Sequence, residues 1–141
     1  MPTVFARILN GDLPARFVWQ EPEVAAFLTI APLHPGHTLV VPRQNVDQWT
    51  DAEPEVLNRC MLVSQHIGRA VRQAWGAPRA GLIIAGFEVP HLHVHVFPAW
   101  DEREFDFRRA DHSASPAALD DAADTVRSSL RRLGHAKHVP A

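Results

Sequence analysis

The chain has a single cysteine, Cys60, among its 141 residues. One thiol makes no intramolecular disulfide, and without a second there is no CxxC pair for zinc or redox chemistry. No stretch approaches the ~18 consecutive apolar residues of a membrane span, so no membrane partner is expected. The opening Met1-Pro2-Thr3-Val4-Phe5-Ala6-Arg7 lacks a basic start, an apolar core and a small-residue cleavage site. No secretory signal is read there, and a cytoplasmic location is expected. Basic charge is not in excess either, with 14 Lys and Arg against 16 Asp and Glu and a net charge of -2. A nucleic-acid-binding domain needs a positive field over one face. Nucleic acid is therefore not an expected partner, and any recognition of phosphate has to be local.

What is present is an ordinary globular composition, 46% hydrophobic and 21% charged, on a length that suits one domain spanning 1–141. Val4, Phe5, Ile8 and Leu9 have helical spacing, and Gly11 supplies a stop. Arg16–Gln20 and Val24–Leu28 read as strands joined by the acidic turn Glu21-Pro22-Glu23. Ala31–Gly36 holds two prolines and a glycine, so it is a loop, and it delivers His37 to a β-branched strand closed by Pro42. Thr50 with Glu53 resembles a capping box. Val56, Cys60, Val63, Ile67, Val71 and Ala74 then follow at steps of three or four, an amphipathic helix ending near Gly76. Gly81–Ala85 and His91–Phe97 read as strands. Ser115-Pro116 starts a second long helix with the stripe Leu119, Ala123, Val126, Leu130 and Leu133, stopped by Gly134. The tail from about residue 135 is expected to be loosely held. Strands segregated from two main helices indicate an α+β fold with an antiparallel sheet of about five strands.

Nine histidines is a high count for this length, and three fall within five residues, His91, His93 and His95. On a strand these three share one face while Leu92, Val94 and Val96 share the other. Neighbours on a face are ~6.5–7 Å apart and the outer pair ~13 Å, whereas zinc ligands converge within ~2.0–2.1 Å of one ion. Two of them can reach a single metal, and three along a regular strand cannot. The row suits a different task, one nucleophile and flanking donors laid along phosphate oxygens. With an unperturbed pKa of ~6.5, imidazole is largely neutral at pH 7, so one nitrogen can be fixed as a donor while the other attacks.

The run His91-Leu92-His93-Val94-His95-Val96-Phe97 resembles the signature of the histidine-triad (HIT) superfamily at every position. Phe27–Pro42 is similar to that family's loop and strand bearing a fourth active-site histidine, here His37, and Phe5–Pro14 is similar to its first helix. The resemblance implies a homodimer with sheets joined across the two-fold axis, a purine nucleotide as partner, and attack on the α-phosphate by His93. By the same resemblance His91 helps hold the His93 ring, while His95 and His37 bind phosphate oxygens. The nearest activity so implied is hydrolysis of a purine nucleoside phosphoramidate through a nucleotidyl-histidine intermediate, with no cofactor. The alternatives are a diadenosine polyphosphate hydrolase and a nucleotide-binding regulatory protein with little turnover.

Several positions depart from the family pattern. Phe87 stands where glutamine is usual, Glu88 where Ser or Thr supplies a hydroxyl, and Thr29 where an Asp commonly grips the ribose. Ala6 offers no thiol and Asn45 replaces a common zinc histidine, so no metal is expected. Ile8 and Phe27 are candidate walls of the purine pocket, with Thr29 and Glu88 as further nucleotide contacts. Cys60 reads as an inert core thiol and His66 as an ordinary helix residue, Trp100 as a cover for the phosphate end or a dimer contact, and His135 and His138 have no patterned partners.

Overall fold

The computed structural model describes residues 2–141, and Met1 of the expected 1–141 unit lies outside the described residues. A short helix α1 (Val4–Leu9) precedes the hairpin β1 (Phe17–Gln20) and β2 (Val24–Leu28). Then come β3 (Thr38–Pro42), the long helix α2 (Pro54–Trp75), β4 (Arg79–Ile83), β5 (Val94–Ala99) and helix α3 (Pro116–Arg132). The five strands form one antiparallel sheet in the order β1-β2-β3-β5-β4. The expected α+β class and strand number are the ones found.

β2 and β3 are buried along their whole length, and their side chains alternate between two apolar clusters. Val24, Ala26, Leu28, Val40, Val94 and Val96 meet Cys60, Val63, Ile67 and Val71 of α2 and Ala123, Val126 and Leu130 of α3. Phe27, Leu39 and Val41 point the other way, to Phe5 of α1. At about 1.5–3 kcal/mol for each fully buried aliphatic or phenyl side chain, the helix-side cluster is the main stabilising mass. The opposite face is covered only in part, and His95 lies on it across from Leu39. Among the described residues no helix is long and apolar enough to cross a membrane.

Several boundaries differ from the sequence reading, each for a local reason. The expected capping box at Thr50 and Glu53 does not form. Trp49–Asp51 is a separate 3-10 turn, and α2 starts at Pro54 with Glu53 as N-cap and no side-chain capping bond. Proline at the first helical position needs no N–H partner and holds the preceding residue extended. The expected strand Gly81–Ala85 begins two residues earlier, at Arg79. The expected strand His91–Phe97 starts only at Val94, because the Leu92 N–H bonds the Val46 carbonyl, in the loop after β3, at 2.7 Å. At α3 the expected cap is present, with Ser115 Oγ accepting from the Ala118 N–H at 3.1 Å.

Beyond Gly134 the tail is packed down, contrary to the expectation of a loose end. Residues 136–138 form a 3-10 turn, Val139 joins the helix-side core, and Arg131 Nη2 donates to the Pro140 carbonyl at 2.9 Å. Sequence periodicity gives no hint of this, since the contacts are between histidine rings and Trp19 rather than along an apolar stripe.

Gly81 sits opposite Phe97, and a Cβ built there would lie 2.4 Å from the Phe97 ring and 2.9 Å from the Phe105 ring. Gly81→Ala is therefore expected to lower stability by about 1–3 kcal/mol, the usual cost of overpacking. A urea titration showing an unchanged midpoint would contradict this.

Candidate active site

Four of the nine histidines meet where β3 and β5 pair. His91 and His93 enter on the irregular segment before β5, His95 is its second residue, and His37 immediately precedes β3. The His93 and His95 rings lie 4.9 Å apart and those of His37 and His95 5.1 Å apart. His91 and His37 are buried, His93 is 6% exposed, and His95 is half-buried.

Hydrogen bonds fix a tautomer for each ring. The Leu33 N–H donates to His37 Nδ1 at 3.0 Å, so the His37 hydrogen is on Nε2. That Nε2–H donates to His95 Nδ1 at 2.9 Å, which leaves the His95 hydrogen on its own Nε2. On the other side, His91 Nε2 donates to the Pro42 carbonyl at 2.8 Å, and its Nδ1 faces Thr3 Oγ1 at 3.5 Å. The His91 carbonyl accepts from His93 Nδ1 at 2.7 Å, so His93 Nε2 holds a lone pair. Within about 5 Å the fold thus presents one acceptor nitrogen and one N–H donor, the division that nucleophilic attack on a phosphate requires.

His37 departs from its expected role. Both of its ring nitrogens are engaged inside the protein, and none is left to bind a phosphate oxygen. Its place is behind His95, whose tautomer it sets. Among the described residues no group of three or more His, Cys, Asp or Glu side chains is arranged to hold a metal ion.

A family model described as the HIT domain matches residues 10–102. The chain belongs to the histidine-triad family. Membership places it among nucleotide-binding hydrolases and transferases. An uncharacterised HIT-like protein of Borreliella burgdorferi is 33% identical over 113 residues, covering 75% of this chain and 81% of that protein. The crystal structure of a zinc-bound histidine triad family protein from Mycobacterium smegmatis superposes with a TM-score of 0.80 at 28% identity, over 94% of this chain and 96% of that one. A hypothetical histidine triad nucleotide-binding protein from Sulfolobus tokodaii gives 0.75 at 26% identity, over 92% of each chain.

Around the triad of this HIT domain, Phe5 presses edge-on against His93 at 4.8 Å and against Phe27 at 5.6 Å. Ile8 packs beside them, half-buried. Phe5, whose helical spacing in the sequence marks only an apolar stripe, is thus the phenyl ring against the reactive imidazole. Phe107, on a 3-10 turn that no sequence pattern marks, tilts over His95 at 4.6 Å. Thr29 lies half-buried beyond β2, and its hydroxyl accepts from the Ala31 N–H at 3.2 Å. Glu88 and its neighbour Phe87 are exposed, as is Trp100, which tilts against His34 at 4.7 Å. Cys60 is fully buried, and burial pushes its thiol up to about 12, as expected for an inert residue.

Burial is also the first cause of the low proton affinity of the site. It takes His37 down to about 3 and His95 to about 4, with further lowering by the neighbouring imidazoles. His93 is lowered by burial as well, partly offset by its bond to the His91 carbonyl and by the carboxylates of Glu88 and Asp47. Asp47 sits in a polar loop after β3, where no sequence motif marks it. All three rings are neutral in the fold at pH 7. Because unfolding restores an ordinary value near 6.5, the unfolded chain binds more protons in acid. Stability is expected to be full above pH ~6.5 and to decline as pH falls toward 4. A urea midpoint that stays flat from pH 7 to pH 4.5 would contradict the burial of these neutral rings.

Proposed function

We propose that this HIT protein hydrolyses purine nucleoside phosphoramidates at the α-phosphate, with His93 as nucleophile. The observation that carries this reading is the tautomer chain, which leaves the lone pair on His93 Nε2 and a hydrogen on His95 Nε2. His93 Nε2 attacks phosphorus, the bond from phosphorus to the amine breaks, and the amine departs with a proton taken from solvent at the exposed side. Water then cleaves the nucleotidyl-histidine, releasing the nucleoside monophosphate and the free imidazole. Splitting one displacement into two easier ones is the gain of covalent catalysis.

His95 donates to the phosphate oxygens, a preformed electrostatic contact in a partly dry site. His91 acts through its carbonyl and His37 through His95, so both are positioning residues. Phe5, Phe27 and Ile8 wall the purine, with Thr29 toward the ribose. Rapid quench into denaturant at alkaline pH, where the phosphorus–nitrogen bond of a nucleotidyl-histidine survives, tests the reading with α-labelled adenosine phosphoramidate. The expected result is labelled protein in the wild type, and an active enzyme with no covalent label would refute it.

The protein is also proposed to be a homodimer. β4 is a free edge of the sheet, Leu82 and Met61 are each more than two-fifths exposed, and a groove of about 460 Å³ runs between α2 and β4 beside them. Sedimentation is expected to give twice the chain mass, and Leu82→Arg to give the monomer. A wild-type monomer at micromolar concentration would overturn this.

A further inference from the structure

Three histidines outside the active site converge on one buried indole. Trp19 of β1 is 1% exposed, and His138 lies nearly parallel to it at 4.5 Å, as does His66 of α2 at 5.6 Å. His135 tilts against Trp19 at 5.3 Å and against His66 at only 4.2 Å. His66 Nδ1 is buried with no hydrogen-bond partner. A single imidazolium on an indole face keeps a cation–π attraction, but the His66 and His135 rings at 4.2 Å pack favourably only while they are not both charged. Nothing in the proposed phosphate chemistry uses them.

We infer that Trp19, His66, His135 and His138 form a latch that docks the C-terminal segment 134–140 at neutral pH and releases it on acidification. The charged groups facing the cluster favour release. From α2 come Arg59 and Arg69, and from α3 Arg131 sits above the tail, bonded to the Pro140 carbonyl. Glu21 is the carboxylate on the His138 side, and it is already committed to Arg59 through two bonds of 2.6 and 2.7 Å and to Trp19 Nε1 at 2.9 Å. A proton placed on both His66 and His135 would set two cations side by side, next to Arg69, with no free anion between them. Burial lowers the proton affinity of both rings, and the neighbouring imidazoles and Arg69 lower it further. In the released tail that penalty is gone, so the released state binds more protons and gains population as pH falls below ~6.5. Release uncovers Trp19 and the core position of Val139 beside the sheet edge β1.

Amide hydrogen exchange on the full-length protein, normalised to the intrinsic rate at each pH, reads the latch directly. Between pH 7.5 and 5.0 the protection of residues 134–140 is expected to fall about tenfold or more, the scale of one unit of proton linkage. The interior of α2 should keep its protection over the same range. His66→Gln, which stacks without taking a proton, is expected to cut the fall in the tail to about threefold or less. His135→Asn should do the same and guards against a folding defect peculiar to the first variant. Constant tail protection across the range would overturn the latch. So would an undiminished fall in both variants, or a loss in α2 that runs parallel to the tail, since that is general acid unfolding.

Discussion

His93→Ala is expected to lower turnover of adenosine phosphoramidate on the order of 10⁴-fold or more and to remove the alkali-stable label completely. A covalent nucleophile is not replaced by its neighbours, and its loss leaves only what the remaining donors and binding contacts contribute. Here the neighbours are held in the wrong form to substitute. His91 Nε2 is tied to the Pro42 carbonyl, and His95 presents a hydrogen rather than a lone pair. The variant should still bind the nucleoside monophosphate, because Phe27 and Ile8 are not attached to His93, though Phe5 loses its edge contact. The useful measurement is therefore a pair, single-turnover rate and calorimetric binding on one preparation. A rate within tenfold of wild type, or a labelled His93→Ala protein, would remove His93 from the role of nucleophile.

How much of this was legible in the sequence follows from the range of each interaction. Strand alternation and helical stripes are local, and they locate β1, β2, β3, α2 and α3 to within a few residues. The triad is local too, and its resemblance to a known family marks the candidate nucleophile. What the alternating pattern misses is that His91 and His93 precede the regular strand. Leu92 takes its backbone bond from Val46, a partner 46 residues away that no periodicity announces. The role of His37 is hidden for the same reason. Its distance from a phosphate is decided by Leu33 behind it and His95 in front, a chain of bonds that exists only once the loop 29–37 closes over β5.

The histidines of the tail show the same limit from the other side. His66, His135 and His138 have no common spacing, so each reads as an ordinary polar residue when taken alone. They become a cluster because Trp19, at a slight irregularity in β1, turns its indole to the helix-side core. The acid-sensitive window of His66 and His135 and that of His37, His93 and His95 overlap below pH ~6.5. Exchange measured segment by segment separates the two, where a single unfolding curve would merge them.

Glu21→Ala carries the largest expected loss of stability, about 3 kcal/mol and a Tm about 10 °C lower for a domain of this size. The Glu21 side chain is 5% exposed and accepts three bonds, two from Arg59 and one from the Trp19 indole. Removing it leaves a buried N–H without a partner and a guanidinium facing an apolar wall, the case in which breaking an ion pair costs more than the pair contributes. Arg59 remains 32% exposed and recovers some hydration, which sets the figure at the low end of the usual range. Glu21→Gln keeps an acceptor for the indole and is expected to lose about half as much. The pH dependence separates this site from the histidines. Burial raises the Glu21 carboxyl, but the Arg59 and Trp19 bonds outweigh it and hold the group below its ordinary 4.5. Its contribution is therefore complete above that value and is lost only as pH falls through the lowered one, whereas the histidine contribution begins to fall below pH ~6.5. Melting curves at pH 7.5 and pH 5 should give nearly the same difference between wild type and Glu21→Ala. A difference below about 3 °C at both, less than one kcal/mol on this scale, would mean that water already satisfies Arg59 and Trp19.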